Sequence, residues 1–558
     1  MQIQVSELIV KYMQRLGIEY IFGMPGAHIL PVYDSLYDSD IKAILAKHEQ
    51  GASFMAGGYM RASGKIGACI TTAGPGATNL VTGIANAYAD RQPLLIITGE
   101  TSTHIFGKGG LQESSGEGGS IDQNALFKGI TRYNKIVERT DYLANVLDRA
   151  SHILLSPNPG PVLLSFPYNI QKERVDDSLL ENIKITRNIS IKPDNSRLVA
   201  ALTELVLNAE NPVIVAGFGC IKSGGQQVVS QLSEMMQIPV TTSLKAKGVI
   251  DEQSPYSLGS LGVTSYSKAY QYICEKSDLL IFLGSAFNER TSYLWDKNLM
   301  DNKKIAQVDI NEEQLEKVFK ADLAIYGDIK DVVSDLLQQL KAHAKPRKKP
   351  IDVCRAIKTL NQSDSGDEHD ADVFQSRFPL VEQFFSRLEK TFPENIQIFD
   401  DNIIFAQNFF NVSTANRYYP NSGISSLGQA IPAAIGARFS EHKPTFAILG
   451  DGGFQMCCME IMTAVNYSLP LNIVMFNNST MGLIRKNQAQ QYNNRYINCD
   501  FSNPDYETLA KSFTINYSRI AKESDLDEVF LNTDFSNAIN LIEIMIDKNT
   551  FPNYISKR

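Results

Sequence analysis

Residues 448–484 read ILGDGGFQMCCMEIMTAVNYSLPLNIVMFNNSTMGLI. The apolar run TFAILG at 445–450 reads as a buried strand, the stretch from Met459 to Ser468 carries helical spacing, and LNIVMF at 471–476 reads as a second strand. Strand, crossover helix and strand make one right-handed βαβ unit, so Asp451 and Asn478 both fall at strand C-terminal ends, the edge where open parallel sheets bind ligands. Gly450, Gly452 and Gly453 let backbone N–H groups approach a phosphate, while Asp451 and the Asn478 amide offer hard oxygens to a small divalent cation that also takes phosphate oxygens. GDGG or NN alone is an ordinary turn signal. A lone turn needs no asparagine pair at the end of the next strand, and the two together read as a diphosphate site built around Mg²⁺.

The same rhythm runs through the chain. At 558 residues and 43% hydrophobic, the sequence exceeds one core and suffices for several. From Ile41 to Phe166 helical patterns alternate with IGACITT, PLLIITG and GPVLLSF. The polar stretch QKERVDDSLLENIKITRNIS then reads as a linker. Alternation resumes with NPVIVAGFG, IPVTTS, DLLIFLGSAF and KIAQVDI, halts in the charged segment from Lys341 to Asp372, and returns with NIQIFDD, TFAILGDG, LNIVMFNN and LIEIMID. The expected fold is α/β, three consecutive open parallel-sheet domains at 1–168, 190–342 and 374–548.

Charge and cysteines narrow the class. A net charge of −8 with both signs interspersed offers no basic stripe for nucleic acid and no polybasic anchor for a membrane. The seven cysteines are scattered and never in paired metal-ligand spacing, which fits a reducing compartment. The start, VSELIVKYMQRLGI, is an amphipathic helix pattern without a basic leader, and no segment sustains the roughly 18 apolar residues of a membrane span. A cytoplasmic protein is expected. The seven histidines form no spaced metal cluster.

With GDG and NN in place, the chain resembles the thiamine-diphosphate (ThDP) enzymes, and among them the acetolactate synthase large subunits. The resemblance covers nearly the whole sequence, through GMPGAHILPVYDSLYDSDI, AKHEQGASFMAGGYMRASGKIG, TTAGPGATNLVTGIANAYAD, IPAAIGA and RYINCDFSNPDYETLA. It implies a pyrimidine-binding, a central and a diphosphate-binding domain in that order. It further implies that Asp451, Asn478 and the Thr480 carbonyl bind Mg²⁺, with Asn402, Gly450, Gly452, Gly453 and Gly482 beside the cofactor.

Glu49 in KHEQGA reads in isolation as a solvated helix-start glutamate. By resemblance it is catalytic, hydrogen-bonded to the aminopyrimidine N1′ from an apolar pocket whose burial would raise its pKa. Pro75 and Asn79 are implied to flank the pyrimidine, Leu427 to be the wedge that bends the cofactor, and Gln112 to contact substrate. His28 and His48 fall in pocket-lining segments, with a structural role equally open to each. In the family, Glu49 and Asp451 of one site come from different subunits, which implies a homodimer or homotetramer.

Departures from the resemblance concern the substrate. GLQESSGEGGSIDQNALF places Leu111 where synthases usually carry Phe and inserts a Gly-, Ser- and acid-rich loop that is either a pocket feature or an idle surface loop. Asn487 stands in place of a tryptophan, and the sequence stops at FPNYISKR, short of the tail that synthases carry by resemblance. In the central block GFGCIKSGG and GSAFNERTS resemble an FAD site, with Asn288 and Glu289 for the usual aspartates and Arg290 kept. The implied activity is decarboxylation of pyruvate or a related 2-oxo acid and transfer of the two-carbon acyl-anion unit to a carbonyl acceptor. A nucleotide-linked keto-sugar acceptor, simple decarboxylation, flavin oxidase chemistry and a non-catalytic scaffold are the alternatives.

Overall fold

The computed structural model describes residues 1–185, 193–343, 353, 357 and 377–552. Their apolar runs are buried along both faces, as parallel strands covered by helices require: LLIITGE, PVIVA, LLIFL and LNIVMFN have no exposed position. These runs form three six-stranded sheets, one per block, each wholly parallel.

The N-terminal sheet is built, in chain order, from Tyr20–Gly23, Lys42–Leu45, Gly67–Thr71, Leu94–Glu100, Tyr133–Ile136 and Val162–Pro167. Counted one to six, they lie side by side in the order 2-1-3-4-6-5. The C-terminal sheet repeats that order with Gln397–Asp400, Arg417–Pro420, Thr445–Gly450, Leu471–Asn477, Asn516–Ile520 and Ile539–Met545. The central sheet, Pro212–Ala216, Val240–Thr242, Ser257–Ser260, Leu279–Leu283, Lys304–Asp309 and Leu323–Tyr326, has the order 3-2-1-4-5-6, that of dinucleotide-binding folds.

Strand order locates the ligand crevices. In the outer sheets the order reverses between the first and third strands, so the turns that follow those two strands face each other there. In the N-terminal block these are the turns after Gly23 and after Thr71; in the C-terminal block, the turns after Asp400 and after Gly450.

The two outer blocks pack directly on each other through the helices Glu49–Ser63 and Ala430–Arg438. A Cβ on Gly58 would stand 1.9 Å from the Ala433 carbonyl oxygen, and one on Gly436 2.0 Å from that of Met55. Only glycine permits the two backbones to come this close. Both helices feed one hydrophobic core shared by the two blocks.

Two local outcomes differ from the sequence reading. The polar stretch from 171 begins with ordered structure: Arg174–Asp176 pairs antiparallel with Gln2–Gln4, Ile3 opposite Val175, and closes the first block. Such a three-residue strand has too little periodicity to announce itself, since its partner lies at the other end of the domain. In the GDGG unit the helix begins at Asp451 itself (Asp451–Cys457), followed by a 3₁₀ turn (Cys458–Glu460) and a second helix, Ile461–Asn466. Most of the charged segment at 341–372 and the final residues 553–558 lie outside the described residues.

Candidate active site

Asp451, 1% exposed, is the centre of the C-terminal switch point. Its Oδ1 accepts from Gly452 N at 3.0 Å; its Oδ2 accepts from Ser479 N at 2.6 Å and Asn503 Nδ2 at 2.9 Å. Burial raises this carboxyl group above its ordinary value and those hydrogen bonds oppose the rise. Ser479 holds a left-handed backbone (φ 53°), a conformation a non-glycine residue adopts at a cost of about 1 kcal/mol. The strained turn is held by Asp451 and by Asn477 Oδ1, which also takes Ser479 N at 3.2 Å.

The asparagine pair divides its work. Asn477 is buried and donates to Glu543 on the neighbouring strand, while Asn478 is half-buried with its Oδ1 accepting from Thr480 N at 3.2 Å. Thr480 is itself fixed by its hydroxyl on the Cys499 carbonyl, 2.9 Å away. Glycine lines the turn: a Cβ on Gly452 would fall 2.8 Å from the Met481 sulfur and one on Gly482 2.8 Å from Asn478 Nδ2. Gly450 has its nearest neighbours at 3.9 Å.

This donor set fits a magnesium-bound diphosphate. One carboxylate, one amide oxygen and one backbone carbonyl are hard oxygens, and a cation binding so few protein groups completes its shell with phosphate and water. Among the described residues no group of three or more His, Cys, Asp or Glu is placed to hold a metal, so a cation here depends on oxygens of that mixed kind.

Facing Asp451 across the switch point is Asp401, which the sequence reading passed over as part of a strand end. Its Oδ2 accepts from Gly428 N at 2.6 Å and its Oδ1 from Gln429 N at 3.1 Å and Asn421 Nδ2 at 3.3 Å. It thereby fixes the loop that carries Leu427, which is half-buried. A Cβ on Gly453 would stand 2.8 Å from Asp401 Oδ2, so the Leu427 loop and the GDGG turn touch through this one side chain. Burial pushes Asp401 up to about 6 and its neighbour Asp400, which accepts from the Tyr418 hydroxyl, up to about 7.

In the N-terminal block Glu49, Pro75, Asn79 and Gln112 follow the second, third and fourth strands and lie at the same sheet edge. Asn79 Nδ2 donates to Glu49 Oε2 at 2.9 Å, and Glu49 is half-buried in the single chain at the start of its helix. Pro75 is exposed and opens the short helix Pro75–Thr78. Gln112, with φ 55°, lies on that turn: a Cβ on Gly74 would be 3.1 Å from the Gln112 Cβ.

The inserted loop is tied down at its base. Glu113 accepts from the amides of Gly107, Gly109 and Gly110 at 2.6, 3.1 and 2.9 Å. The fully buried Glu100 accepts from Thr101 N (2.7 Å), Ser114 N (3.1 Å) and Ser114 Oγ (2.7 Å), and Gly74 N reaches Ser114 Oγ at 3.3 Å. His48 serves as a helix cap, its Nδ1 accepting from Gln50 N at 3.1 Å. Buried His28 has no partner for Nδ1 among the described residues.

Arg290 and Asn402, reached separately from the sequence, meet: Arg290 Nη1 donates to Asn402 Oδ1 at 2.8 Å across the junction of the central and C-terminal blocks. At the central sheet's own switch point, Gly217 N donates to the Leu283 carbonyl at 2.8 Å and Gly219 N to that of Gly284 at 3.0 Å. A Cβ on Gly217 would fall 2.1 Å from the Gly284 oxygen, so these glycines bring two turns into contact. Asp309, 8% exposed, ends the next strand.

Asn503, Asp401 and Glu100 carry parts of this geometry that the sequence did not assign. Asn503 lies in RYINCDFSNPDYETLA, where an asparagine before a proline reads as a turn; only the fold brings it to Asp451.

Comparison with known proteins agrees block by block. Residues 3–124 match the family described as thiamine pyrophosphate enzyme, N-terminal TPP binding domain; residues 199–336 match the central domain; residues 402–535 match the C-terminal TPP binding domain. The probable acetolactate synthase large subunit of Methanocaldococcus jannaschii is 32% identical over 97% of this chain and 92% of its own length. The acetolactate synthase of Arthrospira platensis is 31% identical over 90% of this chain and 87% of its own. The acetolactate synthase large subunit of Corynebacterium glutamicum is 30% identical over 97% of this chain and 86% of its own. With a cofactor-binding block at each end, a central block between them and relatives spanning nearly its whole length, this chain belongs to the thiamine diphosphate enzymes, as a transferase of the acetolactate synthase-like carboligase type.

Proposed function

We propose that the protein is a Mg²⁺- and ThDP-dependent carboligase that decarboxylates pyruvate or a related 2-oxo acid and transfers the two-carbon acyl-anion unit to a carbonyl acceptor. The observation that carries this reading is the Asp451 turn, a buried carboxylate held beside Asn478 and Thr480 among glycines, in a chain that also carries Glu49 at the matching edge of the N-terminal sheet. When bound, ThDP supplies the electron sink that loss of CO₂ from a 2-oxo acid requires.

The chain's own residues do the rest. Asp451, Asn478 and the Thr480 carbonyl would hold the cation, and Gly450, Gly452, Gly453 and Gly482 would admit the diphosphate. Leu427, on the loop fixed by Asp401, would pack against the cofactor as its wedge, with Pro75 and Asn79 at the pyrimidine. Glu49, oriented by Asn79, would hydrogen-bond the aminopyrimidine and share its proton. Gln112 contacts substrate from the Gly74 turn. With Glu49 half-buried in one chain, a partner chain would complete its apolar surroundings, in a cytoplasmic homodimer or homotetramer.

The acceptor is the open half of the reaction. Leu111 is 70% exposed, and the loop behind it is pinned by Glu113 and Glu100, which supports a role in shaping a pocket over that of idle surface. Asn487 adds hydrogen-bonding capacity where an indole would fill volume. These features favour a polar acceptor such as a nucleotide-linked keto-sugar beside the 2-oxo acid of acetolactate synthesis.

FAD is proposed for the central block, a reading supported by its strand order, that of dinucleotide-binding folds, and by the glycine turn after its first strand. The three blocks are proposed as domains with the limits 1–168, 190–342 and 374–548 read from the sequence, the first carried on to Asp176 by the strand that pairs with Gln2–Gln4.

The test is incubation with pyruvate, ThDP and Mg²⁺ and a panel of acceptor carbonyls. CO₂ release with a new carbon–carbon bond is expected, and Glu49→Gln should lower the rate by about 10²-fold or more. Failure to release CO₂ from any 2-oxo acid would overturn the proposal.

A further inference from the structure

We infer that Glu460 positions Glu49: the crossover of the diphosphate-binding βαβ unit, helped by Thr463 and Tyr467, is also the cradle of the turn from which the catalytic carboxylate projects. The inference rests on the assignment of Glu49 above and adds to it a residue from another domain of the same chain.

Residues 45–48 connect a strand end to the helix that Glu49 begins, and such a turn must find partners for its backbone groups outside the sheet and helix. Ala46 N donates to the Gly23 carbonyl at 3.0 Å, and the amides of Leu45, Lys47 and His48 find their partners on one short stretch more than four hundred residues away. Leu45 N donates to the Tyr467 hydroxyl at 2.9 Å, and Thr463 Oγ1 donates to the Leu45 carbonyl at 3.4 Å. Lys47 N and His48 N both donate to Glu460 Oε1, the latter at 3.1 Å.

Glu460 is 3% exposed, and Gly51 is glycine where a Cβ would stand 2.7 Å from the Glu460 carboxyl carbon. The carboxylate is thus wedged under the first turn of the Glu49 helix. Its second oxygen has no hydrogen-bond partner among the described residues, so the group is kept in the core by what Oε1 does.

The consequence is mechanical. Asp451 starts, and Glu460 ends, one continuous run of helix and 3₁₀ turn. A displacement of the Asp451 turn therefore reaches the backbone immediately ahead of Glu49. A carboxylate that must meet a ring nitrogen within hydrogen-bond distance loses rate steeply when its base shifts by an ångström. Asn79 orients the Glu49 side chain and Glu460 orients its backbone.

The experiment measures backbone amide exchange across residues 44–49 in the cofactor-free protein, and separately the exchange of the ThDP C2 proton in the loaded enzyme. Glu460→Ala should speed amide exchange in that segment about tenfold or more and slow C2 proton exchange about tenfold, with ThDP affinity unchanged. Glu460→Gln keeps an acceptor oxygen and should restore both. Tyr467→Phe removes one cradle contact without emptying the core and should give a smaller change in the same direction. Unchanged amide exchange in Glu460→Ala, or in Tyr467→Phe should the alanine variant fail to fold, would overturn the inference. So would a loss of ThDP affinity equal to the loss of C2 exchange, the outcome of a merely structural role. If Glu49→Gln left C2 exchange at the wild-type rate, the assignment of Glu49 would fail while the amide result stood by itself.

Discussion

Asp451 shows how much of a site depends on residues that never touch the ligand. Its Oδ2 receives Asn503 Nδ2, which also reaches Asn477 Oδ1 at 2.8 Å and Ser479 Oγ at 3.2 Å, so one amide orients the buried carboxylate and the turn beside it. Asn503→Ala should weaken Mg²⁺-ThDP binding about tenfold to a hundredfold, read by calorimetric titration, with little effect on the fold. Glu460 supplies one pH dependence of stability. Burial pushes its carboxyl group up to about 7 against the opposing amides of Lys47 and His48 and the Lys47 charge. A folded-state pKa above the unfolded one means that the stabilising contribution is complete below the ordinary glutamate range and is lost as pH rises through about 7. Glu460→Gln, which cannot ionise, should therefore gain in melting temperature over wild type between about pH 5 and about pH 8. A difference that stayed flat across that range would contradict the assignment.

Elements were legible in the sequence where burial on both faces wrote continuous apolar runs, as in TFAILG and LNIVMFN, and where glycine marked a turn. The GDGG and NN ends were readable for that reason, and so was the α/β alternation. What escaped was non-local. Arg174–Asp176 is a strand only because Gln2–Gln4 lies beside it, and Asp401 acts only because the chain returns at Gly428 and Gln429 to meet it. The contact of the Glu49 helix with Ala430–Arg438 was equally hidden, because Gly58 and Gly436 in AGGYM and AAIGA look like ordinary small residues until the helices cross. Gly58→Ala or Gly436→Ala forces a methyl group to within about 2 Å of a carbonyl oxygen and should destabilise the protein by about 3 kcal/mol or more, measured by denaturant unfolding. A loss below about 0.5 kcal/mol would mean that the helices do not meet as described.

On the scale of the whole molecule, two sheets of identical strand order each offer one switch point, and the central sheet of different order stands between them in the chain. No helix among the described residues is long and apolar enough to cross a membrane, and the six described cysteines are all free. In the proposed assembly Glu49 of one chain and Asp451 of another serve a single cofactor, with Glu460 tying the two ends within each chain. The most direct measurement mixes two variants that should each be inactive, Glu49→Gln and Asp451→Ala, allows subunits to exchange, and assays CO₂ release from a 2-oxo acid. In a mixed dimer one site receives both wild-type residues and the other neither, so an equal mixture should recover about a quarter of wild-type activity. No recovery after exchange is demonstrated, with the wild-type enzyme active in the same assay, would contradict the account.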